Sequence, residues 1–131
     1  MRFVVLRHQP GEASKGEGVH WDFILETAPG AERLPTWRLA AWQGLEVGEF
    51  VAEAVRLPDH RRAYLDYEGE ISGERGRVKQ AISGTAVIIF QTPERLELLL
   101  RGNGQELRAI GIAENSEYWR WSFLRPERAT P

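Results

Sequence analysis

Apolar and polar residues alternate along much of this chain, which is the pattern of β-strands that bury one face. Residues 19–26 show this alternation most clearly. There, Trp21, Phe23 and Leu25 point to one face of a strand, and His20 and Asp22 point to the opposite face. One face of this strand is therefore predicted to belong to a core, and the other presents an imidazole beside a carboxylate.

Eight further segments have β-forming residues in short runs, separated by turns that contain glycine, proline or asparagine. They cover residues 3–8, 34–42, 51–57, 77–82, 85–91, 96–101, 105–112 and 118–124. Turns are predicted at residues 44–48, 83–84, 92–94, 102–104 and 114–116. Because closure removes exposed strand edges, so many short strands favour a mainly β fold, a small closed or nearly closed β-barrel of about eight strands.

The fold is also expected to include one or two short helical turns. Residues 58–64 begin at Pro58, which is a strand breaker, and continue with mostly polar residues. If this segment forms a helical turn, His60 and Tyr64 share a face, because side chains four positions apart are neighbours on a helix. The third histidine of the chain is thereby predicted to lie next to a phenol.

Length and composition limit what the chain does. Its 131 residues fit one domain, residues 1–131. There is no cysteine, no secretory signal pattern and no apolar run of the roughly 20 residues that cross a bilayer, so we expect a soluble cytoplasmic protein without a membrane partner. Seventeen basic and nineteen acidic residues give a net charge of −2, which excludes coating of nucleic acid by bulk charge. Any nucleic-acid contact is expected at an end or a single phosphate.

Two of the three histidines and one aspartate are candidate metal ligands. His8 ends the first predicted strand, and a glycine-rich loop leads from it into the strand of His20 and Asp22. Two imidazoles and a carboxylate form a mixed nitrogen and oxygen donor set that suits manganese, iron(II) or zinc and leaves coordination positions open. A divalent ion held there would polarise a phosphoryl oxygen and lower the pKa of water, while His60 and Tyr64 would contact the phosphate or protonate a leaving group.

Other interpretations of the same residues stay open. Single histidines are more often structural than ligands, and a His-x-Asp motif alone has a high false-positive rate. The set can also hold a metal or a nucleic-acid end without catalysis, as a docking or sensing module. His-x-Asp with a distal histidine is also the facial triad of iron(II) oxygenases, although His60 follows Asp22 rather closely for that class.

Several motifs, taken together and in order, resemble one known family. They are Phe3-Val4-Val5-Leu6-Arg7-His8, His20-Trp21-Asp22-Phe23-Ile24-Leu25-Glu26, Trp37, Asp59-His60 with Tyr64 and Tyr67-Glu68-Gly69, and the closing Trp121-Ser122-Phe123-Leu124-Arg125. They resemble the 3′-phosphoesterase domain found at the N-terminus of bacterial DNA ligase D, which also occurs as a stand-alone protein. The resemblance spans nearly the whole chain and includes all three histidines.

This resemblance implies a compact β-barrel with a metal site on His8, His20 and Asp22, for manganese in first place and for zinc or another transition metal otherwise. It places His60 and Tyr64 beside the scissile phosphate as catalytic residues. In the family, a 3′-terminal ribonucleoside and then the remaining 3′-phosphate are removed from a primer strand, which leaves a 3′-hydroxyl end for sealing. The implied partners are nucleic-acid 3′ ends and a DNA ligase or polymerase.

Three cationic positions of the family pattern are not kept in this chain. The family arginine two positions after the aspartate is Ile24, and counting from neighbouring motifs places Ala41 and Ala52 at a lysine and an arginine. The sequence therefore predicts an activity that is reduced or directed to another substrate. Candidates for replacing these phosphate contacts are Arg56, Arg38 and Arg75. The loop between His8 and His20 is also longer than is usual in the family.

Overall fold

The computed structural model describes residues 1–14, 16–44 and 48–126 of the chain. Within these ranges it has nine β-strands and two short 3₁₀ turns, Glu12–Ser14 and Arg62–Leu65. The strands are β1 (Arg2–Gln9), β2 (His20–Leu25), β3 (Arg33–Leu39), β4 (Phe50–Arg61), β5 (Gly69–Ile71), β6 (Gly76–Thr92), β7 (Arg95–Gly102), β8 (Gln105–Ala113) and β9 (Tyr118–Leu124). No helix in the described ranges is long and apolar enough to cross a membrane. The turn predicted at residues 44–48 lies mostly outside these ranges.

Eight of the strands close into an antiparallel barrel. Their order is β1-β2-β3-β4-β9-β8-β7-β6, and the pairing of β6 with β1 closes the ring. The short β5 pairs with the start of β6 and is not part of the ring. The mainly β fold and the closed barrel predicted from the alternating pattern are therefore confirmed.

The turn predicted at Ser83 and Gly84 is wrong, because both residues belong to β6. This strand runs for 17 residues, and its first half pairs with β1 while its second half pairs with β7. A Cβ atom at Gly84 would lie 1.8 Å from the carbonyl oxygen of Arg101 in β7. The glycine that indicated a turn instead allows two strands to approach closely.

The barrel interior is an aromatic core. Phe23 contacts the rings of Trp37, Trp121 and Phe123 at centroid distances of 5.9, 5.0 and 6.1 Å. All four side chains are fully buried. Because large aromatic side chains bury the most apolar surface per residue, this cluster is the main source of hydrophobic stabilisation. It assigns the tryptophans at 37 and 121 to packing.

A second, smaller core lies on the outer face of β1 to β3. Its buried members are Val4, Leu6, Ile24, Leu34, Leu65 and Val78. Leu65 comes from the 3₁₀ turn Arg62–Leu65, which therefore covers part of this face. The face of β2 that carries His20 and Asp22 is thus polar at its start and apolar further along, at Ile24.

A β-bulge sets the path of the segment that carries the third histidine. Between β3 and β4 the pairing register shifts, so Pro58 and Asp59 of β4 face a single residue of β3. The extra residue reverses the alternation and brings His60 opposite Leu34, a member of the second core. The predicted helical turn is therefore wrong for its first half, because β4 continues to Arg61 and only the short 3₁₀ turn follows.

Candidate functional site

A cleft of about 920 Å³ lies above the second core, with Leu6 and Val78 in its lining. Strands β1 to β4, the 3₁₀ turn Arg62–Leu65 and the segment that leads into β6 all contribute to it. Its lining includes most of the residues predicted for the site, namely His8, Asp22, Arg38, His60, Tyr64 and Arg75. The cleft therefore brings together residues from well-separated parts of the chain.

The three residues predicted as metal ligands converge beside the cleft, which His8 and Asp22 line and His20 does not. His8 and His20 are directly opposite each other in the β1–β2 ladder. Nδ1 of His8 lies 2.7 Å from Nε2 of His20, and that nitrogen lies 3.7 Å from Oδ1 of Asp22. One ligand atom of each residue lies within 4.8 Å of the others. His20 and Asp22 are nearly buried, with 7% and 5% of their surface exposed.

A main-chain carbonyl indicates where the proton of His8 lies. Nε2 of His8 is 2.8 Å from the carbonyl oxygen of Arg75. Since a carbonyl only accepts, Nε2 donates to it, and Nδ1 of the neutral ring has a lone pair. This lone pair faces Nε2 of His20.

Each of the three residues offers one atom that can bind a cation. Oδ1 of Asp22 is buried and has no hydrogen-bond partner among the described residues. Burial, with Arg38 and His8, lowers the pKa of His20 despite the opposing charge of Asp22, so His20 is neutral at pH 7. At 2.7 Å the two ring nitrogens are at hydrogen-bond distance, so Nε2 of His20 can donate to Nδ1 of His8, and a bound cation would take the place of that proton.

This donor set fits a divalent transition-metal ion. Two ligands that are each about 2.1 Å from an ion, at right angles, are about 3 Å apart. The 2.7 Å between the nitrogens of His8 and His20 is close to that spacing. Imidazole nitrogens and carboxylate oxygens are also ligands that such ions accept. We therefore regard His8, His20 and Asp22 as a candidate metal centre.

Two of the three arginines predicted to contact phosphate line the cleft. Arg38 is the cross-strand partner of Asp22, and its Nε is buried without a hydrogen-bond partner among the described residues. Arg75 also lines the cleft, and its guanidinium donates to the carbonyl and hydroxyl oxygens of Ser72 at 2.7 and 3.3 Å. Arg38 is therefore the cation best placed to meet a ligand next to the candidate metal centre.

The third predicted arginine, Arg56, has a different environment. Its guanidinium lies 5.1 Å from the ring centroid of Trp37 and donates to Asp59 at 2.8 Å. It is not among the residues that line the cleft. Ala52, on the same face of β4, is buried in the barrel core, and Ala41 follows β3 at a half-buried position. Arg56 acts in this structure as an ion-pair and ring-stacking partner.

Ile24 occupies the position of the family arginine that follows the aspartate. It is fully buried in the second core and faces Val4 across the β1–β2 ladder. An arginine here would have to displace apolar packing beneath the 3₁₀ turn. The residue is therefore part of the support of the cleft and not of its charged lining.

His60 and Tyr64 form a second group, further along the cleft. Their ring centroids are 5.7 Å apart. Nδ1 of His60 lies 3.1 Å from the Pro58 carbonyl oxygen, so Nδ1 carries a proton and Nε2 remains able to take or give one. The partners of His60 and Asp22 on β3 are four residues apart, which is about 13 Å along an extended strand. The cleft thus has a metal end and a His60 end.

A buried carboxylate that the sequence analysis did not single out holds the His60 end in place. Glu26 accepts hydrogen bonds from the backbone N–H groups of Arg2 and Gly30, each at 3.0 Å. Arg62, the first residue of the 3₁₀ turn, donates to the same carboxylate. This arginine is the main reason why the pKa of Glu26 lies below its usual range. Glu26 is the last residue of the segment that contains the His-x-Asp motif. Its partner Arg62 is 36 residues away in the chain, so the local sequence pattern does not predict this ion pair.

Sequence analysis also missed two cations in the lining. Arg33 and Arg61 are directly opposite each other in the β3–β4 ladder, and both line the cleft. Neither forms an ion pair with a carboxylate in the part of the chain that the structure describes. Like charges directly across a ladder are unfavourable, so this pair is a candidate contact for an anion. Its pairing depends on the bulge in β4, which the sequence pattern did not reveal.

Comparisons with protein-family models and with curated proteins find no match to this chain. The likeness to the 3′-phosphoesterase domain of DNA ligase D therefore rests on the motifs themselves.

Proposed function

We propose that this chain is a divalent-metal phosphoesterase that acts on 3′ ends of nucleic acid, removing a 3′-ribonucleoside or a 3′-phosphate in DNA end repair. The observation that carries this proposal is the convergence of ligand atoms from His8, His20 and Asp22 beside a cleft that His8, Asp22 and several arginines line. The choice of nucleic acid as substrate comes from the resemblance to the 3′-phosphoesterase domain.

The candidate metal centre would hold the ion through Nδ1 of His8, Nε2 of His20 and Oδ1 of Asp22. A bound divalent cation, manganese in first place, supplies Lewis-acid chemistry, since it polarises a phosphoryl oxygen and lowers the pKa of water. Arg38 would bind the phosphate oxygens beside this centre, because a guanidinium matches phosphate geometry. Arg75 would add a second contact after releasing Ser72.

At the other end of the cleft, His60 and Tyr64 would act on the leaving group. Nε2 of His60 would first take up a proton from water, since Nδ1 holds the proton of the neutral ring, and would then give that proton to the oxygen of the departing group as the P–O bond breaks. The Tyr64 hydroxyl would donate to the same phosphate. The roughly 13 Å along the strands separates backbone positions, and side chains of both groups line the same cleft, so a scissile phosphate held between them would meet both groups. Such a protein would act in the cytoplasm, before a DNA ligase or polymerase uses the end.

Ile24 favours a second candidate function, a module that binds a metal or a nucleic-acid end without turnover. The position that carries an arginine in the resembling family is apolar and buried here. Loss of one charged contact to the transition state typically costs on the order of 100-fold in rate. The two candidates therefore agree on metal uptake and differ in turnover.

Incubation with manganese and a primer–template that carries a 3′-monoribonucleotide or a 3′-phosphate tests the proposal. We expect the wild-type chain to produce 3′-hydroxyl ends and His20→Ala to lose that activity, with products resolved by gel electrophoresis. Arg56→Gln is a matched control, because Arg56 is outside the cleft lining.

The outcomes separate the candidates. Absence of processing together with manganese uptake in a calorimetric titration would favour the binding module. Equal processing by wild type and His20→Ala would remove the metal centre from the reaction.

A further inference from the structure

Two arginines face each other at the His60 end of the cleft. Arg33 of β3 and Arg61 of β4 are directly opposite in the strand ladder, beside the pair formed by Leu34 and His60. Both arginines are exposed and line the cleft. Like charges directly opposite each other destabilise a sheet, so packing of the two strands does not account for their position. We call Arg33 and Arg61 the arginine pair.

The β-bulge in β4 brings the two arginines together. Because Thr36 pairs with Leu57, a regular ladder continued from there would place Arg61 opposite Glu32. The extra residue of the bulge shifts the register by one, so Arg61 lies opposite Arg33 instead. An attractive pair of opposite charges is thereby exchanged for a repulsive pair. Proteins keep locally unfavourable arrangements of this kind chiefly at functional sites.

The nearby carboxylates are already engaged by other cations. Glu26 accepts a hydrogen bond from Arg62, and Asp59 accepts one from Arg56 at 2.8 Å. Glu32, which is next to the arginine pair in the chain, does not line the cleft. Within the ranges that the structure describes, the arginine pair forms no ion pair with a carboxylate. Its two positive charges therefore remain available to an anion from outside the protein.

We propose that the arginine pair is a phosphate subsite, separate from the candidate metal centre, for the backbone phosphates that follow the scissile one. A guanidinium matches the geometry of phosphate oxygens, and a phosphate on each arginine would offset the repulsion within the pair. On a strand that ends in a 3′-phosphate, every other phosphate lies on the 5′ side. The subsite therefore directs the 5′ part of the strand past His60. The identity of this ligand rests on the proposed function.

The subsite narrows the class of substrate. A small phosphate ester or a single nucleoside 3′-phosphate has no further phosphate for the arginine pair, whereas a strand of three nucleotides has two. The net charge of −2 gives the chain no general attraction for nucleic acid, so affinity for a strand depends on local cations of this kind. The preferred substrate is therefore a strand end and not a mononucleotide.

Two thymidine trinucleotides that both end in a 3′-phosphate test the subsite. One has ordinary phosphates between its nucleosides, and the other has uncharged methylphosphonates at these two positions. Each is titrated into isotope-labelled protein in EDTA, and the dissociation constant is measured from NMR signal shifts. EDTA withholds divalent ions, so the terminal phosphate stays in place during the titration and binding is measured separately from catalysis.

Wild type is expected to bind the charged trinucleotide about 5- to 30-fold more tightly than the methylphosphonate, as two exposed ionic contacts provide. Replacing both Arg33 and Arg61 with Gln should reduce this preference to about twofold or less. The backbone amide signals of β3 and β4 at the His60 end should shift with the charged trinucleotide. Arg61→Gln alone should lower the preference by about 2- to 6-fold, which keeps the test available if the double variant does not fold.

A second cross-strand pair of cations provides the matched control. Arg7 and Lys79 are directly opposite each other in the β1–β6 ladder, are exposed and lie outside the cleft lining. Replacing both with Gln removes the same amount of charge as the double substitution of the arginine pair. We expect this control variant to keep the wild-type preference for the charged trinucleotide.

The outcomes distinguish the subsite from the proposed function. Equal affinity of wild type for the two trinucleotides, no binding of the charged one, or the same loss of preference in both double variants would overturn the subsite. None of these results bears on manganese uptake or on the processing of 3′ ends. A preference that depends on the arginine pair, in a protein that takes up no manganese, would support the subsite and overturn the phosphoesterase.

Discussion

The two ends of the cleft are built in different ways. At the metal end, His8 and His20 face each other in a continuous strand ladder, and the Arg75 carbonyl oxygen accepts a hydrogen bond from the His8 ring. At the other end, Tyr64 belongs to a 3₁₀ turn that is tied to the barrel by Glu26 and Arg62. Backbone pairing positions the first end, and side-chain charge positions the second.

This difference matches what each end would do in the proposed function. Metal ligands must hold their geometry within about 0.5 Å, which paired strands and main-chain hydrogen bonds provide. A group that exchanges a proton tolerates more movement, so a single ion pair between elements suffices to hold it. We therefore expect substitutions at the two ends to have independent effects. Loss of a ligand should affect metal binding at the metal end, and loss of charge should affect the position of the His60 end.

Asp22→Asn is expected to have the largest effect, and to affect the metal end alone. The amide removes the only negative charge of the ligand set, so manganese affinity should fall by about 100-fold or more, beyond the loss typical of an outer-shell partner. Isothermal titration measures this, with Tyr64→Phe as the variant of the opposite end. Equal weakening by both substitutions would show that the ends are not independent.

The sequence predicted that His8, His20 and Asp22 lie together because the contacts that bring them together are local. Strand alternation puts His20 and Asp22 on one face, and a loop between adjacent antiparallel strands brings His8 opposite them. The same local rules failed where the chain departs from regular pairing. Glycine at position 84 indicated a turn, yet it permits close approach of β7, and the bulge at Pro58 moved His60 from a helical turn into a strand.

The His60 end was less predictable because long-range contacts form it. Glu26 appeared in sequence as the last residue of a strand, and only folding brings Arg62 to its carboxylate. Ile24 likewise shares a face with the ligands but is covered by Leu65, which is distant in sequence. A strand buried on both faces cannot be distinguished from a half-exposed one by period alone.

Glu26→Gln should weaken the His60 end of the cleft and leave the metal end unchanged. Charged hydrogen bonds to a buried carboxylate are worth about 2 kcal/mol, so the free energy of unfolding at pH 7 should fall by about that amount while manganese affinity is kept. Because Arg62 lowers the pKa of Glu26 in the folded state, this stabilisation is present above the unfolded pKa and is lost as pH falls through the folded one. Urea unfolding from pH 7 to pH 3 should therefore show the wild-type curve converging on that of the variant.

The neighbouring Arg2–Asp66 pair provides the control for this prediction. Its carboxylate is mostly exposed, so Asp66→Asn should change the free energy of unfolding by about 0.5 kcal/mol or less. A difference between wild type and Glu26→Gln that stays constant with pH would mean that charge does not hold the His60 end.

The smallest expected effect concerns Arg33 and Arg61, which are exposed and lie opposite each other in the lining. We expect each arginine to contact one backbone phosphate. For single-stranded DNA, replacing both arginines with Gln should then make the negative slope of log affinity against log salt concentration shallower by about 1.4, since each contact contributes about 0.7. Fluorescence anisotropy with a 3′-phosphorylated oligonucleotide measures the slope, and Lys79→Gln, an exposed cation outside the cleft, is the control. An unchanged slope would mean that the oligonucleotide contacts only the metal end of the cleft. The expected decrease would mean that the oligonucleotide extends past His60, because Arg33 and Arg61 lie on β3 and β4 beside His60.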